Sequence, residues 1–264
     1  MKTIINKFES ISTLSSFIAN NEVNGWFKKN NKQGSVNGSK GFTGSESFEV
    51  ANNMMLQGWS EGAARVQKYM NAGVTGTASK RVIYNSVVGF VPNVSNYLAG
   101  NPLNMINQRR VKTPKKVVTI VYACCVPWSV NNSSLERSAA KLFNVIAGLE
   151  ASGVRVEIWI IDAAMSATEK EAIYTAVKIK SAGQPFNLLK MVYPVVNTSF
   201  FRRHCFAVRE RSNTKCNWNR YGYSLTEIAP LKSACQALRI SSDNVFNYYG
   251  LSGKTESEIA KMIK

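Results

Sequence analysis

The spacing of apolar residues changes along the chain and predicts three stretches. Residues 24–45 show no period. Gly25, Gly34, Gly38, Gly41 and Gly44 stand among Asn, Ser and Lys, a composition that buries little and predicts a flexible segment over 1–45. From Ser47, Phe48, Ala51, Met54, Met55 and Trp59 recur every three or four residues behind a Ser45 or Ser47 cap, predicting a helix that ends at Gly58. Ala63, Val66, Tyr69 and Met70 restart the period, so 46–113 reads as a mainly helical region that opens with a helical hairpin. Within it, residues 81–91 predict a strand pair or a strand bulged at Gly89. Val94, Tyr97, Leu98, Met105 and Ile106 predict short helical turns packed on the core.

Residues 114–264 carry the strongest fold signal. The run VVTIVYACC at 117–125 is apolar and β-branched, as expected of a strand covered on both faces. Leu135, Ala139, Leu142, Phe143, Ile146 and Leu149 then take helical spacing, and Gly153 ends that helix. A second strand is predicted at 154–161, a helix at 168–180 and a third strand at 186–196, with helices at 198–209, 228–238 and 256–264 and a further strand at 245–251. This βαβαβ order predicts an α/β fold, a mostly parallel sheet flanked by helices, in a Rossmann-like or von Willebrand A-like arrangement.

Charge then decides what kind of partner to expect. The net charge is +17, from 33 Lys and Arg against 16 Asp and Glu, and Asp162 and Asp243 are the only aspartates. Such a surface is most simply matched by a polyanion, and the scarcity of acids argues against hydrolysis by several carboxylate-bound metals. Glu9 and several serines interrupt the N-terminal apolar stretch, arguing against a signal peptide, and no run approaches the roughly 20 apolar residues of a membrane helix. Five cysteines, without a compact repeated spacing, suit a reducing cytoplasm. Neither GxGxxG nor a P-loop is present, so no cofactor is expected.

Several residues are candidates for chemistry. Asp162 falls at a strand end, where parallel sheets collect ligands, although capping the next turn is the commoner role for such an acid. Cys124 or Cys125 would need His204, the sole histidine, as a base, and His204, Cys205 and Cys216 lack zinc-site spacing. Neither a catalytic residue nor a metal site is assigned. Two basic clusters carry more weight. Arg202, Arg203, Arg209, Arg211, Lys215 and Arg220 interleave with Trp218 and Tyr221, the combination by which cations follow a phosphate backbone while aromatic faces stack bases. Arg109, Arg110, Lys112, Lys115 and Lys116 form the second cluster.

Short motifs add a resemblance. Phe42-Thr43-Gly44, Phe48, Gly58-Trp59-Ser60-Glu61-Gly62, the run Val94 to Pro102, Met105 and the run Leu149 to Glu157 are similar to a family of tailed-bacteriophage proteins with GWxEG and YLxGxP motifs. The resemblance covers about 42–162. It implies a phage protein acting in the host bacterial cytoplasm, and it brings no catalytic residues. The von Willebrand A likeness is architectural, because Ala123-Cys124-Cys125-Val126-Pro127 stands where that fold carries its Asp-x-Ser-x-Ser metal motif. The expected function is non-enzymatic nucleic-acid binding that favours single-stranded DNA or RNA. The alternative is a structural or assembly protein that meets an acidic protein partner or a packaged genome. No membrane partner is expected, and the oligomeric state stays open.

Overall fold

The first residues build a sheet edge. In the computed structural model, which describes residues 2–29, 33–70, 81–110, 116–127, 129–166, 170–212 and 223–264 (for Arg81, Arg110 and Tyr223 the backbone alone), β1 (Lys2–Phe8) leads into α1 (Ile11–Asn20). Ser10 caps α1 in a reciprocal box with Thr13. Three short turns follow, α2 (Gly25–Lys29), α3 (Gly34–Asn37) and α4 (Lys40–Thr43), and they bury Phe27, Ser35 and Thr43. The expected flexible segment is therefore bonded into the body.

The predicted hairpin forms as α5 (Phe48–Gln57), capped by Ser47, and α6 (Ser60–Gln67). Its GWxEG residues make the joint onto a later helix. Gly58 takes φ +102, Trp59 N–H donates to Leu189 O at 3.0 Å, and a Cβ on Gly62 would come within 2.1 Å of the Trp59 ring. The Arg65 guanidinium lies over the same ring at 4.9 Å.

A three-stranded antiparallel sheet follows, in the order β2 (Arg81–Ser86), β4 (Met105–Arg110), β3 (Val91–Pro92), with α7 (Val94–Leu98) between β3 and β4. The residues read as a strand pair at 81–91 form β2 and β3, which do not pair with each other but flank β4 on either side. Gly89 is needed because any Cβ there would meet Ile106 O at 2.2 Å. Val94, Tyr97 and Leu98, expected to pack on the core, are exposed.

The remaining elements are β5 (Val117–Ala123), α8 (Asn132–Ala151), β6 (Arg155–Ser166), β7 (Glu171–Lys180), α9 (Leu188–Val196), a π-helical turn (Phe200–Cys205), α10 (Phe206–Arg211), β8 (Tyr223–Ser224), α11 (Ile228–Ala237), β9 (Asn244–Phe246), α12 (Tyr248–Ser252) and α13 (Glu256–Met262). The main sheet runs β1-β7-β6-β5-β9, with β8 added on β6. All its neighbours are parallel except β6 with β7 and β6 with β8. The fold is the expected α/β class, a mostly parallel sheet between helices. Alternation divides the core between the two faces: Val118, Ile120, Tyr122, Val156, Ile158 and Ile160 turn to the larger helical layer, while Val121, Ala123, Trp159 and Ile161 meet α11.

Two elements exchange identity relative to the sequence reading. Residues 168–180, read as a helix, contain β7, whose Tyr174, Thr175, Val177 and Ile179 suit a strand laid antiparallel on β6. Residues 186–196, read as a strand, contain α9, where Asn187 accepts from Lys190 N–H and every residue from Met191 to Val196 is buried. A helix buried all round presents the same apolar run as a buried strand. The expected strand at 245–251 is three residues of β9 followed by α12.

Replacing Gly62 by Ala should cost about 1–3 kcal/mol through overpacking against Trp59. Gly148→Ala, where no atom lies within 4 Å of the added methyl, should be neutral or stabilise α8 by up to about 1 kcal/mol. Urea unfolding of the two variants checks the contrast.

Candidate interaction surface

The basic and aromatic segment that begins at Arg202 forms a ridge inside the protein. The turn from Phe200 to Cys205 continues α9 into α10 and packs Phe200, Phe201, Cys205, Phe206, Ala207 and Val208 in the core, so the intervening arginines are buried with them. A guanidinium removed from water needs acceptors for its donors. Arg203, fully buried, donates to Ser45 Oγ (2.6 Å), Ser45 O (2.7 Å), Ser35 O (2.9 Å), Gly38 O (3.2 Å) and Val36 O (3.3 Å). Arg202 donates to Phe42 O and to Val126 O (3.1 Å), with its guanidinium over the Phe42 ring. Arg209 forks onto Asp162 with contacts of 2.5, 2.6 and 3.1 Å. Arg211 is half-buried and holds Ile18 O (2.8 Å) and Asn21 O (3.1 Å) at the end of α1. Glu210 is buried too, and takes the N–H and Oγ of Ser35.

This corrects the site expectation. Arg202, Arg203 and Arg209 are 5%, 0% and 2% exposed, with their donors engaged inside the chain, so they cannot lie against a phosphate backbone. Arg211 is bound to carbonyls. Lys215, Trp218, Arg220 and Tyr221 lie outside the described residues, as do Lys112 and Lys115.

The same ridge closes the strand-end crevice. Cys124, Cys125 and Val126, after β5, are buried, with Arg202 on the Val126 carbonyl. Asp162 sits within β6 as the partner of Arg209, and so neither caps a turn nor faces a ligand. Cys124 Sγ lies 4.0 Å from Cys205 Sγ, and burial raises its thiol pKa while pushing that of Cys125 up to about 11. His204 stacks on Phe200, and its Nδ1 meets the Tyr193 hydroxyl at 3.3 Å. Burial brings His204 down to about 3. Inert thiols and a neutral, enclosed imidazole do not make an activated nucleophile. Among the described residues no three His, Cys, Asp or Glu side chains group as metal ligands, and no helix is long and apolar enough to cross a membrane.

One groove of about 420 Å³ opens where β1 and β7 end, lined in part by Glu9, Ser10, Lys178, Lys180, Gln184 and Lys190. Two of its lysines are neutralised within the chain. Lys178 bonds Glu9 (2.7 Å) and Glu157 (3.3 Å), while Lys180 bonds Glu150 (2.5 Å) and Val156 O (2.8 Å).

The surface that remains is the β2–β4 arm. From Val82 to Gln108 and Arg109 no residue is buried, and none joins a core cluster. Asparagines hold it together instead. Asn93 caps α7, and its backbone N–H donates to Asn104 O at 2.7 Å; Asn96 Nδ2 donates to Leu103 O and Asn107 Nδ2 to Val88 O, both at 2.9 Å. The apolar side chains turn outward, and Leu98, Ile83, Val88 and Tyr97 are 79%, 70%, 69% and 68% exposed. Among the described residues, ten of the twenty exposed large hydrophobics lie between Ile83 and Leu103, an outward-facing concentration of the kind that contact surfaces carry. Its charge has one sign. Between Glu61 and Glu136 there is no carboxylate, while Arg65, Lys68, Lys80, Arg81, Arg109, Arg110, Lys112, Lys115 and Lys116 are cations.

Of the predicted residues, the structure thus places Arg109 on the arm, over the Tyr84 ring at 5.4 Å, with Arg110 next to it in β4 and Lys116 exposed before β5. The sequence reading missed Ile83, Val87, Val88, Phe90, Tyr97 and Leu98. The acid-free run around them was the signal that could have found them.

Residues 1–262 match the model of a family described as a domain of unknown function, DUF7192. No curated protein and no solved structure matches the chain.

Two outcomes follow from the buried ridge. Arg209→Met should cost about 3–5 kcal/mol by leaving Asp162 charged and unpaired in the core, and Arg209→Met with Asp162→Leu should recover much of that loss in urea titrations. His204 is neutral in the fold down to about pH 3 but protonates near 6.5 when unfolded. The unfolded state therefore binds the extra proton, and stability should fall by about 1.4 kcal/mol per pH unit below about 6.5, levelling off near 3. His204→Gln should flatten that part of the pH profile.

Proposed function

The chain belongs to the DUF7192 family, whose description assigns no activity, and we propose that it is a non-enzymatic assembly protein that docks through its β2–β4 arm on an acidic protein partner. One observation carries this reading: the arm buries nothing of its own yet displays half of the large exposed apolar side chains among the described residues, within a stretch free of carboxylates. Small antiparallel sheets are marginal alone, and apolar groups held outward by asparagine bonds gain their burial from a partner. Aliphatic side chains such as Ile83, Val88 and Leu98 favour a protein surface, because nucleic acid offers bases and phosphates rather than an apolar cover.

Nucleic-acid binding is the second reading, favoured by the net charge of +17 and by the stacking of Arg109 on Tyr84. Under either reading, the motif resemblance to phage proteins supports action in the cytoplasm of an infected bacterium.

The test is purification of the tagged full chain and of a Tyr97→Ser, Leu98→Ser variant from cells that make it, followed by native mass spectrometry. The wild type should hold an acidic protein at fixed stoichiometry. The variant should release it with an unchanged melting temperature, because neither side chain packs on the core. Retention of the partner by the variant would remove the arm from the interface. In parallel, labelled single-stranded and duplex DNA and RNA are titrated across a salt series. Steeply salt-dependent binding without any protein complex would move the conclusion to the second reading.

A further inference from the structure

The strand edges of this protein are protected unequally. An edge strand presents unpaired N–H and C=O groups, and proteins blunt it with lysines, proline or brevity. In the main sheet, β1 carries Lys2 and Lys7, and β9 is three residues long. In the arm, β3 is two residues and includes Pro92. The edge with the least such protection is β2, six residues with no proline and no lysine and with its one charged residue, Arg81, at its first position, hydrogen-bonded among the described residues to β4 alone. It carries Ile83, one of the most exposed apolar residues, at 70%.

Building on the docking reading above, we propose that the acidic partner binds by adding an extended segment of its own chain to the free edge of β2, making a fourth strand in the order segment-β2-β4-β3. Strand addition supplies main-chain bonds for affinity and leaves alternate side chains to set specificity. The pairing register fixes what those side chains should be. It sets Arg81 opposite Arg110 and Val82 opposite Arg109, so the three cations share one end of the sheet, while Tyr84, Asn85 and Ser86 pair with Asn107, Ile106 and Met105 toward the other. The segment should therefore carry carboxylates at one end and aliphatic residues along the rest.

The free edge also selects among occupants. A lipid surface could cover the aliphatic face but would leave the β2 backbone groups unpaired in an apolar medium. Nucleic acid has no strand backbone to add. A second copy could pair with the edge, but its own arm brings no carboxylate to Arg81, Arg109 and Arg110, and it adds another +17 of charge.

The test uses the full chain and fluorescence anisotropy at low salt with three labelled peptides of about eight residues, a length that matches β2. The first is Glu-Glu followed by alternating Val and Thr. The second replaces both Glu by Lys. The third keeps the first sequence with alternate amides N-methylated, prepared in both phases. The first peptide should bind at least about tenfold more tightly than the second, and than one phase of the third. An Arg109→Glu, Arg110→Glu variant with an unchanged melting temperature should reverse the preference toward the Lys peptide.

Equal binding of the parent and both N-methylated phases would overturn edge pairing. So would saturation by anionic phosphatidylserine vesicles, or concentration-dependent dimers in sedimentation, with no peptide binding. If the natural complex is lost in the Tyr97→Ser, Leu98→Ser variant but the peptides neither bind nor compete, the docking reading stands and edge addition falls. If that complex never forms, the docking reading itself falls.

Discussion

Arg203 is a fully buried guanidinium with no carboxylate bonded to it among the described residues, and its solvation comes from backbone carbonyls and one hydroxyl of residues 35–45. The rest of the ridge depends on the same condition. For Arg203 to sit beneath the helical layer, the glycine-rich segment must wrap it in a fixed path, and Glu210 and Arg211 tie that path to Ser35 and to the end of α1. Gly44, at φ +85, lets the chain turn there, with Thr198 Oγ1 so close that a Cβ would meet it at 2.5 Å. Charge that reads in one dimension as ligand-binding surface is the material that holds the N-terminal segment to the core.

A second consequence is the loss of the usual ligand crevice. Parallel sheets leave room outside their carboxyl ends, but here Arg202 covers Val126 and Arg209 neutralises Asp162. The groove near β7 has two of its three lysines paired with glutamates of the same chain. Where the described interior is filled and its guanidinium groups are bonded within the chain, the features that look outward are those of the arm. The docking proposed for the arm rests on an apolar, acid-free sheet whose β2 edge is, among the described residues, paired on one side only.

The α/β class, the hairpin α5–α6, strand β5 and helices α8, α11 and α13 were legible in the sequence, because period and caps are local properties that survive burial on one or both faces. The GWxEG residues were visible as a motif, but their role as a joint needed Leu189, which lies far along the chain. Residues 168–180 and 186–196 were misread for one reason: a short apolar run has the same composition whether it is a buried strand or a helix buried all round, and only the neighbours β6 and α8 choose between them.

The amino-acid sequence alone determined the sign and excess of charge, the shortage of aspartate, the absence of nucleotide-binding motifs and the alternation of strand and helix. These are sums and periods that need no partner in space. Only the tertiary structure decided which cations face water. Arg203 and Arg109 are the same letter, each beside a second arginine, yet one sits on a helix pressed into the core, bound to distant carbonyls, and the other on a sheet with no core beneath it. Burial is set by contacts between residues far apart in the chain, and in this protein those contacts turned the richer basic cluster inward and left the plainer one exposed.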